Sequence, residues 1–352
     1  MEINKRKIGE NEPVYFIADI AANHDGDLNR AKDLIYLAAE AGADAAKFQH
    51  FQAETIVSNK GFTDLGANSS HQSSWNKSVF EVYKDASINL DWTDVLKKTC
   101  DDAKIDFFTS PYSLDLVDYI DKYVPAYKIG SGDITWIEII EKIASKNKPY
   151  ILATGASNIE EVKNAVNSAY KINKNLALLQ CNTNYTGSVE NFNFINLNVL
   201  KSYKKLFPNL ILGLSDHTPG HSTVLGSISL GARIIEKHFT DDNNRIGPDH
   251  LFSMNPMTWK SMMENSKELE LALGDGIKRI ETNEFDSAVV QRRSIFVKKN
   301  IKKGQVIKKE DIEFLRPCSN EAIPPYEVHN VIGRKIKISL IEGQNLLWSH
   351  LE

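Results

Sequence analysis

The sequence predicts a (β/α)8 TIM barrel followed by a small β-rich domain, and three observations lead to this fold class. Short apolar segments alternate with longer amphipathic ones over the first 275 residues, a pattern typical of parallel strands joined by helices. Eight such repeats fit a closed barrel better than an open doubly wound sheet. The sequence contains no G-x-G-x-x-G at the first helix and no G-x-x-x-x-G-K-[ST], so neither a dinucleotide domain nor a P-loop is expected.

The eight predicted strands are short and apolar, and polar residues follow each of them. They lie at 14–21, 44–50, 106–111, 126–131, 150–155, 176–183, 210–217 and 233–240. Between them, apolar residues recur three and four positions apart, as in LNRAKDLIYLAAEAGA, which predicts amphipathic helices around the barrel. Residues 52–78 are polar and weakly periodic, which predicts a long loop that is either a lid or disordered.

The pattern changes after the last barrel helix and predicts three parts. Residues 1–275 should form the barrel, 276–293 a charged linker, and 294–352 a compact β-rich domain. Two stretches of this last part, IKKGQVI and IEGQNLL, are similar in sequence, and each contains a predicted turn. With about 60 residues, this domain is near the lower size limit for independent folding.

The composition is that of a globular protein and excludes several function classes. The chain is 42% hydrophobic and 25% charged, with a net charge of −4, which argues against a broad nucleic-acid or membrane surface. Three scattered cysteines do not make a disulfide framework. The N-terminus is charged and no apolar run is long enough to span a membrane, so a cytoplasmic location is expected.

Polar side chains follow every predicted strand, at the end where TIM barrels carry catalytic groups. Side chains two positions apart on a strand share a face, so three pairs should point into the barrel mouth. These pairs are Lys47 with Gln49, Ser215 with His217, and Glu236 with His238. Other strand ends offer Asp19, Thr109, Thr183 and Tyr185. A structural protein would not need such a set.

His217 and His238 end the seventh and eighth predicted strands, which are neighbours in a barrel, so the two imidazoles should lie close together. Two neutral imidazoles near a carboxylate suit a divalent cation with open coordination positions. The alternative is a pair of core histidines whose hydrogen bonds are satisfied within the protein.

Lys47 and Lys128 should project from apolar strands into the same mouth, where each needs an anion. That anion is either a ligand or a structural partner. The glycines of GSGD, around Ser131, would let the backbone approach a ligand, as in phosphate sites. Together with Thr109, these residues indicate a phosphorylated, carboxylated small molecule.

A set of motifs occurs in a fixed order along nearly the whole chain. They are FIADIAANHDGDLNRAK, GADAAKFQ, FFTSPY, YKIGSGD, ILATGAS, GLSDHT, IEKHF and GPDH, followed by LRPCSNEAIPP and VIGRK. This set resembles the sialic acid (N-acetylneuraminate) synthase family, which includes legionaminic and pseudaminic acid synthases. Those transferases condense phosphoenolpyruvate with an N-acyl amino sugar and end in an antifreeze-like (SAF) domain.

The resemblance implies roles for individual residues. Phosphoenolpyruvate would be held by Lys47, Thr109, Lys128, Ser131 and Ser215. The sugar would be contacted by Gln49, Asp133, Tyr185 and Asp249. Mn²⁺ or Mg²⁺ would be bound by His217 and His238, with Glu236 orienting water or the other ligands. Arg316 would reach the sugar from the small domain of a partner subunit, in a domain-swapped homodimer.

Two departures leave the substrate open. Asp19 and Asp133 stand where the family usually has glutamate, and a displacement of about an ångström matters in catalysis. The acceptor is therefore either N-acetylmannosamine or a 2,4-diacetamido-6-deoxyhexose. Two other functions compete: a phosphoenolpyruvate-dependent synthase that uses a phosphorylated aldose, which needs more basic residues, and a non-catalytic sugar-binding protein.

Overall fold

The computed structural model describes residues 1–65, 75 and 77–352. They form two compact units, Met1–Gly274 and Asp275–Glu352. The first unit is a nearly closed barrel of eight parallel strands with helices around it, which confirms the predicted fold class. No helix in the described part of the chain is long and apolar enough to cross a membrane.

Each barrel strand is buried over most of its length, as expected for parallel strands covered by helices. The strands are β1 (Tyr15–Asp19), β2 (Ala45–His50), β3 (Asp106–Pro111), β4 (Tyr127–Ile129), β5 (Tyr150–Ala153), β6 (Leu176–Cys181), β7 (Ile211–Asp216) and β8 (Ile234–His238). The hydrogen-bonded ladder runs from β3 through β2, β1, β8, β7, β6 and β5 to β4. This order brings β7 and β8 side by side.

Eleven helices belong to the first unit among the described residues. They are α1 (Leu28–Glu40), α2 (Ala53–Ile56), α3 (Asn59–Leu65), α4 (Val79–Ala86), α5 (Thr93–Ala103), α6 (Leu114–Ile120), α7 (Ile137–Ser145), α8 (Ile159–Ile172), α9 (Val199–Leu206), α10 (Ser222–Ser229) and α11 (Pro256–Leu273). Side chains cap several of them; Asn158, for example, forms a capping box with Glu161 at the start of α8.

The barrel interior is filled with apolar side chains in its lower part. Tyr15, Phe108 and Leu179 belong to this interior cluster, and Ile3 and Ile8 from the N-terminal hairpin pack into it. The N-terminal end of the barrel is therefore closed by hydrophobic residues. The polar side chains at the opposite end lie next to this apolar interior, and electrostatic interactions are stronger there than in water.

The long segment between β2 and β3 is not a plain loop. Helices α2 and α3 lie within 52–78, and α4 follows directly, whereas 66–74 and 76 lie outside the described residues. The prediction of a loop is wrong for the two helices. Each helix is too short, at four and seven residues, to leave a clear helical period in the sequence.

The second unit is built around a small core of Ile, Val and Leu side chains. It contains the antiparallel strands β9 (Ser294–Val297) and β10 (Ile312–Leu315) and several single bridges between its turns. Part of the predicted linker is helical, because α12 spans Phe285–Gln291.

Candidate active site

A cavity of about 400 Å³ lies at the C-terminal ends of the barrel strands. Most of the predicted site residues line it. They are Asp19, Lys47, Gln49, Lys128, Ser131, Asp133, Tyr185, Ser215, His217, Glu236, His238 and Asp249. They come from strands far apart in the sequence, and the parallel barrel brings them together because all strand ends meet at one rim.

Lys47 and Asp19 form the first of two buried ion pairs in this cavity. The Lys47 Nζ lies 2.6 Å from Asp19 Oδ2, and Gln49 Nε2 donates to the same oxygen at 3.2 Å. Burial disfavours the ammonium group, but Asp19 and Glu236 outweigh burial and raise the pKa of Lys47. Lys47 is therefore a fixed positive charge beneath the cavity.

Lys128 and Glu236 form the second pair, with Nζ 3.3 Å from Oε1. The Ser215 hydroxyl also donates to Oε1, at 3.2 Å, whereas the buried Oε2 has no hydrogen-bond partner. Burial opposes ionisation of Glu236, but Lys128 and Lys47 outweigh it and lower its pKa to about 2. The result is a buried carboxylate with one oxygen that still lacks a donor.

His217 and His238 lie beside each other, with ring centroids 5.3 Å apart. His217 Nδ1 is 2.9 Å from the carbonyl oxygen of Asn182, so this nitrogen carries the hydrogen and Nε2 is left as an acceptor. Burial lowers the pKa of both rings to about 3, and they are neutral at physiological pH. The buried His238 Nδ1 has no hydrogen-bond partner. Tyr185 and Phe252 pack against both rings.

These two rings fit a divalent cation with open coordination positions. Within the described residues, no group of three or more His, Cys, Asp or Glu side chains could hold a metal ion by itself. The protein would then supply two imidazole nitrogens, and water and substrate would complete the coordination, as in catalytic sites. The unpartnered oxygen of Glu236 and nitrogen of His238 support this fit, because a buried polar atom without a partner is costly.

Two carboxyl groups in the cavity are poised to exchange protons near neutral pH. Burial raises the pKa of Asp133 to about 6, with Lys128 opposing the rise. Burial also raises the pKa of Asp249 to about 7, although the Ala22 N–H donates to its Oδ2 at 3.2 Å. Groups with such pKa values are suited to general acid–base catalysis.

The backbone around Ser131 approaches the cavity closely. The Ser131 hydroxyl accepts a hydrogen bond from the Gly155 N–H at 2.9 Å. A Cβ added at Gly130 would lie 2.9 Å from the Tyr112 hydroxyl, and one added at Gly155 would lie 2.4 Å from Thr183 Cγ2. A side chain at either position would force its neighbour to move, and Thr183, which lies against Gly155, is not among the residues that line the cavity.

Thr109 does not line the cavity either. Its hydroxyl is bonded to His50 Nδ1 at 2.7 Å and donates to the Phe48 carbonyl, and His50 in turn contacts Thr93 of α5. Thr109 therefore faces the surrounding helices. Ser110 has the opposite parity, shares the inward face with Phe108, and its buried hydroxyl has no partner. Arg316 is exposed in the second unit.

Several cavity residues were not predicted from the sequence. Tyr112 follows β3, and Cys181 is the last residue of β6. The segment after β2 supplies Phe51, Ile56, Val82, Tyr83 and Ala86. Val79, Val82, Tyr83 and Ala86 recur three and four positions apart, and this spacing is a sequence signal for an apolar helix face.

Comparisons with known proteins agree with this architecture. Residues 34–278 match the NeuB family and residues 292–352 match the SAF domain. The chain is 35% identical over 352 residues to N,N'-diacetyllegionaminic acid synthase of Legionella pneumophila, covering 98% of this chain and 96% of the relative. It is 29% identical to N-acetylneuraminate-9-phosphate synthase of Homo sapiens, covering 97% and 94%. A crystal structure of N-acetylneuraminic acid synthetase from Leptospira borgpetersenii is similar, with 29% identity and a TM-score of 0.71, covering 82% of this chain and 94% of that one.

Proposed function

Because this chain belongs to the NeuB family, we propose that it is a nonulosonic acid synthase. It condenses phosphoenolpyruvate with N-acetylmannosamine or a related N-acyl amino sugar, consumes water, and gives a nine-carbon 3-deoxy-2-ulosonic acid and phosphate. One observation supports this most strongly: two buried lysine–carboxylate pairs and two neutral imidazoles face one cavity.

Phosphoenolpyruvate is the ligand that the two lysines suit. Lys47 and Lys128 are the cations of the cavity, and the glycine-flanked Ser131 offers a hydroxyl and nearby backbone beside Lys128. The phosphate and carboxylate groups bind there, and Ser215 adds a hydroxyl. Ser110 replaces Thr109 in this assignment: neither residue is among those that line the cavity, but the buried Ser110 hydroxyl lies on the inward face of β3 and has no hydrogen-bond partner. Charge-assisted hydrogen bonds of this kind are about twice as strong as neutral ones.

The reaction forms one carbon–carbon bond and breaks one carbon–oxygen bond. Carbon 3 of phosphoenolpyruvate attacks the aldehyde carbon of the open-chain sugar, and the aldehyde oxygen takes up a proton from a cavity acid such as Asp133. Carbon 2 becomes electron-poor and is attacked by water, which Glu236 orients through its free oxygen. One proton of this water restores the cavity acid, and the other goes to the phosphate, which leaves with the bridging oxygen so that a ketone remains at carbon 2. Asp19 keeps Lys47 in place. The carboxylates of Asp19 and Glu236 stabilise positive charge at carbon 2.

His217 and His238 hold the divalent cation, Mn²⁺ or Mg²⁺. When bound, it supplies a Lewis acid that polarises the sugar aldehyde. The hydrogen bond from His217 to the Asn182 carbonyl orients that ring and keeps its other nitrogen unprotonated for the metal.

The acceptor sugar contacts Gln49, Asp133, Tyr185 and Asp249. Its other end is unphosphorylated, because Lys47 and Lys128 are the only Lys or Arg side chains among the described residues that line the cavity, and both already face carboxylates. A phosphorylated aldose would bring a second phosphate without a cation to bind it. Arg316 acts in a homodimer, where it reaches the N-acyl group of a sugar bound in the partner's barrel.

A phosphate-release assay tests the function. Protein with Mn²⁺ and phosphoenolpyruvate is given N-acetylmannosamine, a 2,4-diacetamido-6-deoxyhexose, or a phosphorylated aldose, each alone. Phosphate release that requires one of the first two sugars, together with a nine-carbon acid in the mass spectrum, is expected. Release only with the phosphorylated aldose would favour the other class of synthase, and sugar binding without release would favour a non-catalytic protein.

A further inference from the structure

The cavity has two chemically different sides. One side is formed by the charged strand ends, including both lysine–carboxylate pairs. Another part of the lining comes from described residues between positions 51 and 86 and consists of apolar and aromatic side chains. The cavity residues from the described part of this segment, here called the apolar wall, are Phe51, Ile56, Trp75, Val82, Tyr83 and Ala86. None of these is charged.

Helix α4 turns its apolar face to the cavity instead of to a protein core. Val82, Tyr83 and Ala86 lie on one side of this helix and line the cavity. The charged residues of the same helix, Glu81, Lys84 and Asp85, are exposed to solvent. An amphipathic helix normally buries its apolar face. Here that face borders a site for a small molecule, so the molecule should bring apolar groups of its own.

The apolar wall is held in place by hydrogen bonds to its surroundings. The Ala53 N–H donates to the Ser87 hydroxyl at 3.2 Å, and this hydroxyl donates to the Tyr83 carbonyl at 2.8 Å. Gln52 Nε2 donates to the Ile88 carbonyl at 3.1 Å. The Phe51 ring packs against Tyr83, with centroids 5.5 Å apart. Such support gives the wall a defined position, which selection between similar sugars requires.

We propose that the apolar wall selects the acceptor sugar by packing against its methyl groups. This inference rests on the proposed function and narrows its substrate class to 2,4-diacetamido-6-deoxyhexoses. Such a sugar carries acetyl methyl groups on two nitrogens and a methyl at carbon 6, whereas N-acetylmannosamine has hydroxyls at carbons 4 and 6. A hydroxyl packed against Ile56, Val82 or Ala86 loses hydrogen bonds to water and gains none from these side chains. The expected preference in kcat/KM for the diacetamido sugar is about 10- to 200-fold.

Two conservative substitutions change the polarity of the apolar wall and keep its side-chain volume nearly constant. Val82→Thr keeps the shape of the side chain and adds a hydroxyl, and Ala86→Ser does the same at the second position. Each should lower the preference for the diacetamido sugar about 3- to 10-fold, while the KM for phosphoenolpyruvate stays unchanged. Val95→Thr is the matched control, because Val95 is a partly exposed helical valine of α5 outside the cavity. Thermal unfolding of all three variants verifies that the fold is retained.

The outcomes separate this inference from the proposed function. Support requires that the wild-type protein prefers the diacetamido sugar and that both wall variants, but not Val95→Thr, lower the preference. An unchanged preference in either wall variant, or a wild-type preference for N-acetylmannosamine, overturns the role of the wall and leaves the synthase activity intact. If the wild-type protein uses neither sugar, the proposed function fails and the inference fails with it.

Discussion

Two buried lysine–carboxylate pairs that involve consecutive residues of β8, Glu236 and Lys237, differ in how completely they are hydrogen-bonded. Lys237 and Asp216 are paired across the two strands and face outward. Asp216 also accepts from the hydroxyls of Thr218 and Thr223, and Lys237 Nζ donates to the Thr218 carbonyl at 2.7 Å. One residue earlier on β8, Glu236 faces inward to Lys128, and its Oε2 has no partner.

This difference in hydrogen bonding separates a pair that stabilises the fold from a pair that is suited to bind a ligand. The outward pair uses its hydrogen-bonding capacity within the protein and ties the barrel to the start of α10. The inward pair keeps an acceptor unsatisfied in a buried place, and such a group costs about 1–3 kcal/mol. A protein retains that cost when a substrate or metal ligand later supplies the missing partner.

The largest expected effect is on stability, from breaking the outward pair. Lys237→Met leaves the Asp216 carboxylate buried without its countercharge and should lower the free energy of unfolding by about 3–5 kcal/mol. Lys128→Met should cost less than half as much, because Lys47 and Ser215 still stabilise Glu236. Urea unfolding of both variants measures the difference. Equal losses would mean that both pairs are structural.

Lys128→Met should have its main effect on ligand binding. Without the ammonium group, the affinity for phosphoenolpyruvate should fall about 100-fold, because a charge-assisted contact in a buried site is lost. Affinity for the sugar should change little. Calorimetry with each ligand measures both values, and a variant that binds phosphoenolpyruvate normally but loses the sugar would reverse the assignment.

His217→Ala should weaken Mn²⁺ binding at least about 10-fold, since it removes one of two imidazole ligands. The signal of free Mn²⁺ in electron paramagnetic resonance gives the affinity without relying on activity. His329→Ala, at an exposed position in the second unit, is the control and should bind Mn²⁺ normally. If His217→Ala binds Mn²⁺ as the wild-type protein does, His217 is not a metal ligand.

The smallest effects should come from two neighbouring hydroxyls on β3. Thr109→Ala should lower stability by about 1 kcal/mol, because His50 and the Phe48 carbonyl lose a partner, and should leave the KM for phosphoenolpyruvate unchanged. Ser110→Ala should cost almost no stability and raise that KM about 5-fold. If Thr109→Ala raises the KM for phosphoenolpyruvate and Ser110→Ala does not, Thr109 is the ligand-binding residue.

Much of the fold and of the cavity could be predicted from alternation along the strands. The Ser215–His217 and Glu236–His238 pairs share a face because side chains two apart do so, and the sequence marks them with polar residues after an apolar run. The same rule fails for FFTSP, where Phe107 and Phe108 are both buried and neither side of the strand is marked as interior. The resemblance implies Thr109, and the strand residues themselves do not show whether Thr109 or Ser110 faces the interior.

The position of Thr183 and that of the apolar wall depend on tertiary contacts, which a local sequence pattern does not predict. Thr183 follows β6 as expected but is directed against Gly155 by the packing of neighbouring loops. Helices α2 and α4 contribute most of the apolar wall; α2 lies within the stretch 52–78 that reads as polar and weakly periodic, and α4 follows that stretch. Hydrogen bonds from Gln52 and Ala53 to Ile88 and Ser87 join the start of α2 to the end of α4, and these residues are far apart in the sequence.

The central claim, that this cavity condenses phosphoenolpyruvate with an amino sugar, is tested most directly by isotope labelling. Phosphoenolpyruvate carrying ¹⁸O at the bridging position is incubated with the protein, Mn²⁺ and the 2,4-diacetamido-6-deoxyhexose, and the released phosphate is observed by ³¹P NMR. Attack of water at carbon 2 predicts that the ¹⁸O appears in the phosphate, through cleavage of the carbon–oxygen bond. Phosphate free of ¹⁸O, or labelled phosphate released equally without the sugar, would contradict the claim.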